Sequence, residues 1–293
     1  LLIPLLAAAG CGNEVEHPER PDTASSVDLP EIRQRGSLRA ITIYSATSYF
    51  IYRGRPMGFD YELLERLTDS LDLELEIVVA DNLDSLIAML RTGRGDLVAH
   101  SLAVTKERRE QVAFTDEITT THQVLVQRKP EGWQRMSARK LDRELIRTPL
   151  ELIGKTVHVR RNSSYFHRLE NLSEEVGGDF DIKAVSGDLS TEELIRMVAE
   201  GEIDYTVADR NIARINRTYY TDLDVETPLS LPQQISWAVR HGSPKLLAAV
   251  NDWLAAEQEG SDFYVIYNRY FRNSKAFGRR VASEFYLGPG NRI

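Results

Sequence analysis

The chain has 293 residues, enough for two modest domains, and its 42% hydrophobic and 27% charged side chains mark it as globular rather than disordered or polytopic. A formal charge of -8, from 36 basic and 44 acidic residues, argues against a nucleic-acid binder, which carries a basic surplus. Cys11 is the one cysteine, so neither an internal disulfide nor a multi-cysteine metal site can form.

The first stretch, LLIPLLAAAGCGN, is an apolar run that ends in Ala8-Ala9-Gly10-Cys11. Small residues ahead of a cysteine, behind an apolar segment, read as the end of a secretory signal with processing at Cys11. The pattern resembles a bacterial lipobox, with Ala8 where leucine is usual; an ordinary signal peptide with a chance cysteine is the alternative. With no initiator Met and no basic n-region, residues 1–11 are expected to be an incomplete lipoprotein signal segment. A processed Cys11 carries acyl chains that hold the protein to a membrane. Gly12 behind it suits the outer membrane of a Gram-negative cell, which makes the expected location the periplasm. Residues 12–36 are polar and Pro/Ser-rich and read as a tether. No other stretch approaches the roughly 20 apolar residues that span a bilayer.

Short β-rich runs then alternate with helical patterns. LRAITIY (38–44) reads as a strand, DYELLERLTDSL (60–71) as a helix, ELEIVVA (74–80) as a strand, LDSLIAMLRTG (83–93) as a helix and DLVAHSL (96–102) as a strand. Thr105 follows as a plausible N-cap for a helix that begins with Lys106, Arg108 and Arg109, although a helix start disfavours cations. A second set repeats the order: KTVHVRR (155–161), SYFHRLENLSEEV (164–176), FDIKAVS (180–186), TEELIRMVAEG (191–201) and DYTVAD (204–209). Within the two sets, Leu86, Ile87, Met89, Gly93 and Asp96 recur as Leu194, Ile195, Met197, Gly201 and Asp204.

Strand–helix alternation of these lengths predicts an α/β fold with two similar lobes, each a mostly parallel sheet flanked by helices. HQVLVQRK (122–129) and QISWAVRHG (234–242) flank the second set and suit two crossing strands of a hinge. The helix SPKLLAAVNDWLAAEQ (243–258) starts with Ser243 as N-cap and Pro244 at its first position, and an aromatic helix, SDFYVIYNRYF (261–271), packs on lobe one. The expected domains are lobe one at 37–126 and 237–271, lobe two at 127–236 and a linker at 272–293. Ligands of open α/β sheets sit beyond the carboxyl ends of strands, so Ser101 and Asp209, equivalent in the repeat, are expected to face one ligand.

GFDYEL (58–63), TKER (105–108), VAFTD (112–116), LIGKTVHVRRNSS (152–164) and GEIDYTVAD (201–209), in this order and spacing, resemble the family 3 solute-binding proteins, the periplasmic receptors for amino acids. The likeness spans about residues 37–271 and implies the periplasmic-binding-protein fold. YTVADRNIARINRTYY and PLSLPQQISWAVRHGSPKLLAAVNDWL look like the receptor-like N-terminal modules of membrane-bound lytic transglycosylases of peptidoglycan, in which a lysozyme-like catalytic domain follows. The resemblance then makes 272–293 a linker toward a C-terminal domain missing here. The implied partners are a small amino-acid or muropeptide ligand and a membrane, with peptidoglycan or, if the chain is an importer receptor, an ABC permease.

The resemblance also implies a site. Arg108, the arginine of T-x-x-R, would grip the ligand's α-carboxylate, and a guanidinium suits that group through two parallel hydrogen bonds. Asp209 would pair with the α-amine, or simply N-cap the helix that follows. Ser101 and Ser164 match positions that donate to the carboxylate, while Ala103 replaces a serine frequent there. Tyr49 would wall the pocket, unless Tyr44, Tyr49 and Tyr52 serve packing. Asp60 is expected to support lobe one by capping the next helix. No metal and no cofactor are expected: the six histidines are scattered without H-E-x-x-H, and neither G-x-S-x-G nor a phosphate-cradling loop occurs. Nothing singles out a catalytic carboxylate pair, so this chain alone is expected to be no enzyme.

Overall fold

The computed structural model describes residues 27–161, 163–186 and 189–272. Cys11, the signal segment, most of the tether and the segment from 273 onward lie outside the described residues.

Helix α1 (Leu29–Arg35) opens lobe one. Asp28 and Glu31 form a capping box, Pro30 sits in the first turn, and Gly36 ends the helix in the left-handed region. Leu29 and Ile32 are buried in the lobe-one core. These seven residues were expected in the tether, and the structure corrects that: a polar outer face hides two core contacts too few to show as a period.

Lobe one continues with β1 (Ser37–Thr42), a hairpin of β2 (Phe50–Tyr52) and β3 (Arg55–Met57), α2 (Phe59–Leu71), β4 (Glu74–Val79), α3 (Leu83–Arg91) and β5 (Leu97–Ala103). A single turn, α4 (Lys106–Arg109), leads to short β6 (Ala113–Phe114) and β7 (Thr119–Thr121). Lobe two holds β8 (Gln123–Arg128), α5 (Ala138–Glu144), β9 (Thr156–Arg160), α6 (Ser164–Val176), β10 (Asp181–Val185), α7 (Thr191–Glu200), β11 (Tyr205–Asp209), α8 (Arg210–Tyr219) and β12 (Leu223–Pro228). The chain then returns to lobe one as β13 (Gln233–Val239), α9 (Pro244–Glu259) and α10 (Ser261–Tyr267).

The two sheets share one plan. Sheet one runs β4-β1-β5-β13-β6, with β7 also on β13, and sheet two runs β10-β9-β11-β8-β12. In each, three parallel strands are followed by one antiparallel strand, β13 or β8, and then by a strand that pairs antiparallel with it. The repeat read in the sequence thus has a spatial counterpart: β5 and β11 hold the same place in their sheets, each reached from a helix through a glycine at positive φ, Gly93 at 75° and Gly201 at 84°. Both faces of sheet two are covered, as the alternation along β8 requires: Leu125 joins one core cluster, and Val124 and Val126 join the other.

The crossovers lie earlier than expected. All of β8 pairs within sheet two and all of β13 within sheet one, so the chain changes lobe at His122 and again at 229–232. Boundaries at 126/127 and 236/237 would cut both strands. At the crossing, Gln123 Nε2 donates to Gln233 Oε1 at 2.9 Å, tying the two connections together.

Candidate functional site

The loop after β5 builds the first half of the site. Thr105 caps α4, its hydroxyl accepting from the Arg108 amide at 3.3 Å. That short turn aims the Arg108 side chain back over the strand end, where Nη1 donates to the Ala103 carbonyl at 2.8 Å. The guanidinium is partly buried, and burial pulls its pKa down, against the pull of Tyr165 and Asp209. One donor of the fork is thus taken by the backbone.

Asp209 ends β11 in the other lobe and is 5% exposed. It takes the N-cap position of α8, yet its side chain makes no capping hydrogen bond, and Oδ1 has no partner at all. The Tyr165 hydroxyl, from α6, accepts from the Asp209 amide at 3.3 Å and also steadies its carboxylate. Burial pushes the carboxyl up to about 7, against the Tyr165 bond and the Arg108 charge. Arg108 and Asp209 therefore lie within electrostatic reach across the cleft. Among the described residues they make no ion pair with each other.

Ser164 opens α6, one residue after its cap Ser163, and its Oγ accepts from Gln123 Nε2 at 3.2 Å. It thus lies between the crossover and Tyr165, on the Asp209 side of the cleft. Ser101 lies on β5 beside His100, partly buried. Tyr49 is elsewhere. Its buried ring stacks on Tyr44 at 5.4 Å and tilts against Tyr61 at 5.6 Å. It borders a groove of about 1140 Å³ on the outside of lobe one, together with Glu65, Asp69 and Leu73. Asp60 does support lobe one, by a different bond from the one expected: it lies inside α2, where its buried carboxylate accepts from Trp237 Nε1 at 2.7 Å.

Three further side chains at the cleft escaped the sequence reading. Arg160 closes β9, beside β11. Glu192, in the first turn of α7, is 6% exposed, and burial raises its pKa against the pull of its own amide, Arg160 and the Ala46 amide of lobe one. Burial, then the charges of Arg160 and Arg108, pull the His100 imidazole down to about 3, so it is neutral. The one available signal was position: Arg160 is a polar residue at the carboxyl end of a parallel strand. Among the described residues no group of three or more His, Cys, Asp or Glu side chains is arranged to hold a metal ion.

The sequence pattern that defines the bacterial extracellular solute-binding proteins, family 3, matches residues 41–273. The chain belongs to this family. Solved structures repeat the two-lobed form: the ancestral amino acid-binding protein AncCDT-1, a precursor of cyclohexadienyl dehydratase, superposes with a TM-score of 0.68 at 24% identity, over 83% of this chain and 99% of that one. A mutant of ArgBP from T. maritima gives 0.67 at 28%, over 83% and 98%. Among curated proteins, membrane-bound lytic murein transglycosylase F of Desulfosudis oleivorans is 36% identical over 262 residues, 89% of this chain and 54% of that protein. Its namesake from Pseudomonas fluorescens (strain Pf0-1) is 30% identical, over 91% and 51%. The chain therefore spans about half the length of the curated relatives it matches.

Proposed function

We propose that this chain is a receptor module whose two lobes close on a small amino-acid-like ligand, and that it serves as the regulatory part of a peptidoglycan lytic transglycosylase. One observation carries the reading: Arg108 from one lobe and a buried, partnerless Asp209 oxygen from the other flank the same cleft without pairing. A zwitterion set between them would place its carboxylate on the guanidinium and its ammonium on the aspartate. Each lobe then contributes one pole, so ligand stabilises the closed form over the open one by its differential affinity. Peptidoglycan stem peptides carry free carboxylates and amines that fit this pair, and the 30–36% identity to transglycosylase F supports the cell-wall context over delivery to an importer. In the same reading Cys11 carries the lipid anchor that holds the module to the outer membrane on its periplasmic side.

Calorimetry against amino acids and stem peptides tests the proposal. Binding should occur for at least one such ligand and weaken at least tenfold in Arg108→Ala; undiminished affinity in that variant would overturn the assignment.

A further inference from the structure

Arg160 Nε, Glu192 Oε1 and His100 Nδ1 are buried polar atoms without a hydrogen-bond partner. Arg160 stands at the carboxyl edge of sheet two, on the strand next to the one that ends in Asp209. Glu192 begins α7, which packs on both β9 and β11. The Ala46 amide of lobe one acts on the Glu192 carboxylate, so this corner, like the Arg108–Asp209 corner, is bounded by both lobes. His100 enters from β5 and feels both Arg160 and Arg108.

Arg160 and Glu192 are near enough to act on each other electrostatically, yet among the described residues they form no ion pair. A buried donor or acceptor left unpaired is costly, so such atoms mark where another group belongs. The missing group has to accept from Arg160 and donate to Glu192. A carboxylate only accepts and an ammonium only donates; an amide does both. Charge points the same way. A zwitterionic head is neutral between Arg108 and Asp209, Arg160 and Glu192 offset one another, and a further net charge would be buried without a counter-charge. His100, being neutral, can meet either end of an amide by choice of tautomer.

We propose that Arg160, Glu192 and His100 form a second subsite that takes an amide group of the ligand, a side-chain carboxamide or a peptide bond, beyond its zwitterionic head. This rests on the receptor reading above and narrows its ligand class.

Calorimetry of the full chain with glutamine, glutamate and norleucine provides the test, because the three differ chiefly in the group at the end of the side chain. Glutamine should bind at least about tenfold tighter than either, since a site built for hydrogen bonds rejects analogues that leave its polar atoms unpaired. Arg160→Met and Glu192→Leu should each erase that preference, and a cooperative thermal unfolding transition in each variant shows that it is folded. Equal binding of glutamine and norleucine, a preference for glutamate, or a glutamine preference that survives both variants would overturn the subsite. If none of the three binds, the subsite falls; if stem peptides also fail to bind, or if binding ignores Arg108→Ala, the receptor reading falls with it. Binding that depends on Arg108 but shows no amide preference sinks the subsite alone.

Discussion

At the end of β11, Asp209 keeps a carboxylate oxygen out of water with nothing to accept from. That arrangement is unfavourable for the ligand-free fold and useful to a site. The folded-state value of about 7 lies above the ordinary 3.8, so between those values the native state binds more protons than the unfolded chain. The stability contributed by this group is therefore full below about pH 4 and is lost as pH rises through 7. Asp209→Asn should raise the ligand-free melting temperature at pH 7.5, by on the order of 1–3 kcal/mol in stability, while weakening amino-acid affinity at least tenfold. A lower melting temperature would instead make the carboxylate a structural support. Affinity has its own pH signature. An ammonium needs the ionised carboxylate, so the dissociation constant measured by calorimetry should rise as pH falls from 7.5 to 5.5, and Asp209→Asn should flatten that trend. His100, at about 3, does not titrate in this window, and comparison with Asp209→Asn separates the effect from Glu192. Arg108 and Asp209 were candidates beforehand, the first from the T-x-x-R motif that follows β5 and the second from its place at the end of β11. Arg160 and Glu192 were not, since their meaning lies in an ion pair left open between two elements distant in sequence.

At the scale of elements, one residue organises two helices. Asp28 Oδ1 accepts from the Leu29 amide at 2.8 Å and from the Leu246 amide at 2.8 Å, and Oδ2 accepts from the Lys245 amide at 3.0 Å. It thus caps α1 from within and α9 from outside. Ser243 was expected to cap α9; its hydroxyl instead donates to the Val27 carbonyl at 2.8 Å, which fastens the chain's entry to the same corner. Asp28→Ala should destabilise lobe one by about 2 kcal/mol in denaturant unfolding, twice an average cap, and leave ligand affinity unchanged. An unaltered midpoint would mean that water replaces both caps at no cost. Local reading names a cap from its neighbours in sequence, so a cap supplied from more than 200 positions away is invisible to it.

For the whole molecule, the crossing strands set what can move. Gln123 and Gln233 hydrogen-bond where the two connections pass, and Gln123 also reaches Ser164 at the start of α6. In the proposed function the lobes rotate about that point, and groups contributed from both sides become partners on closure. Small-angle scattering should show the radius of gyration falling when a binding amino acid is added at saturation, with no change in Arg108→Ala at the same concentration. A radius indifferent to ligand in the parent chain would remove closure from the proposal. The last described turn, residues 268–272, packs beside α8 of lobe two although Tyr270 also donates to Glu62 of lobe one, so this turn touches both halves.

What the amino-acid sequence determined by itself was the periodic and the local: the strand and helix alternation, the repeated unit, the T-x-x-R turn and the carboxylate at the matching strand end. Those features rest on contacts within one or two elements, and periodicity records them. Tertiary structure alone decided which sheet β8 and β13 join, that residues 29–35 leave the tether for the core, that Asp60 serves Trp237, and that Tyr49 packs between Tyr44 and Tyr61. Each is a pairing between distant segments, and its free energy depends on burial that exists only once both lobes have formed.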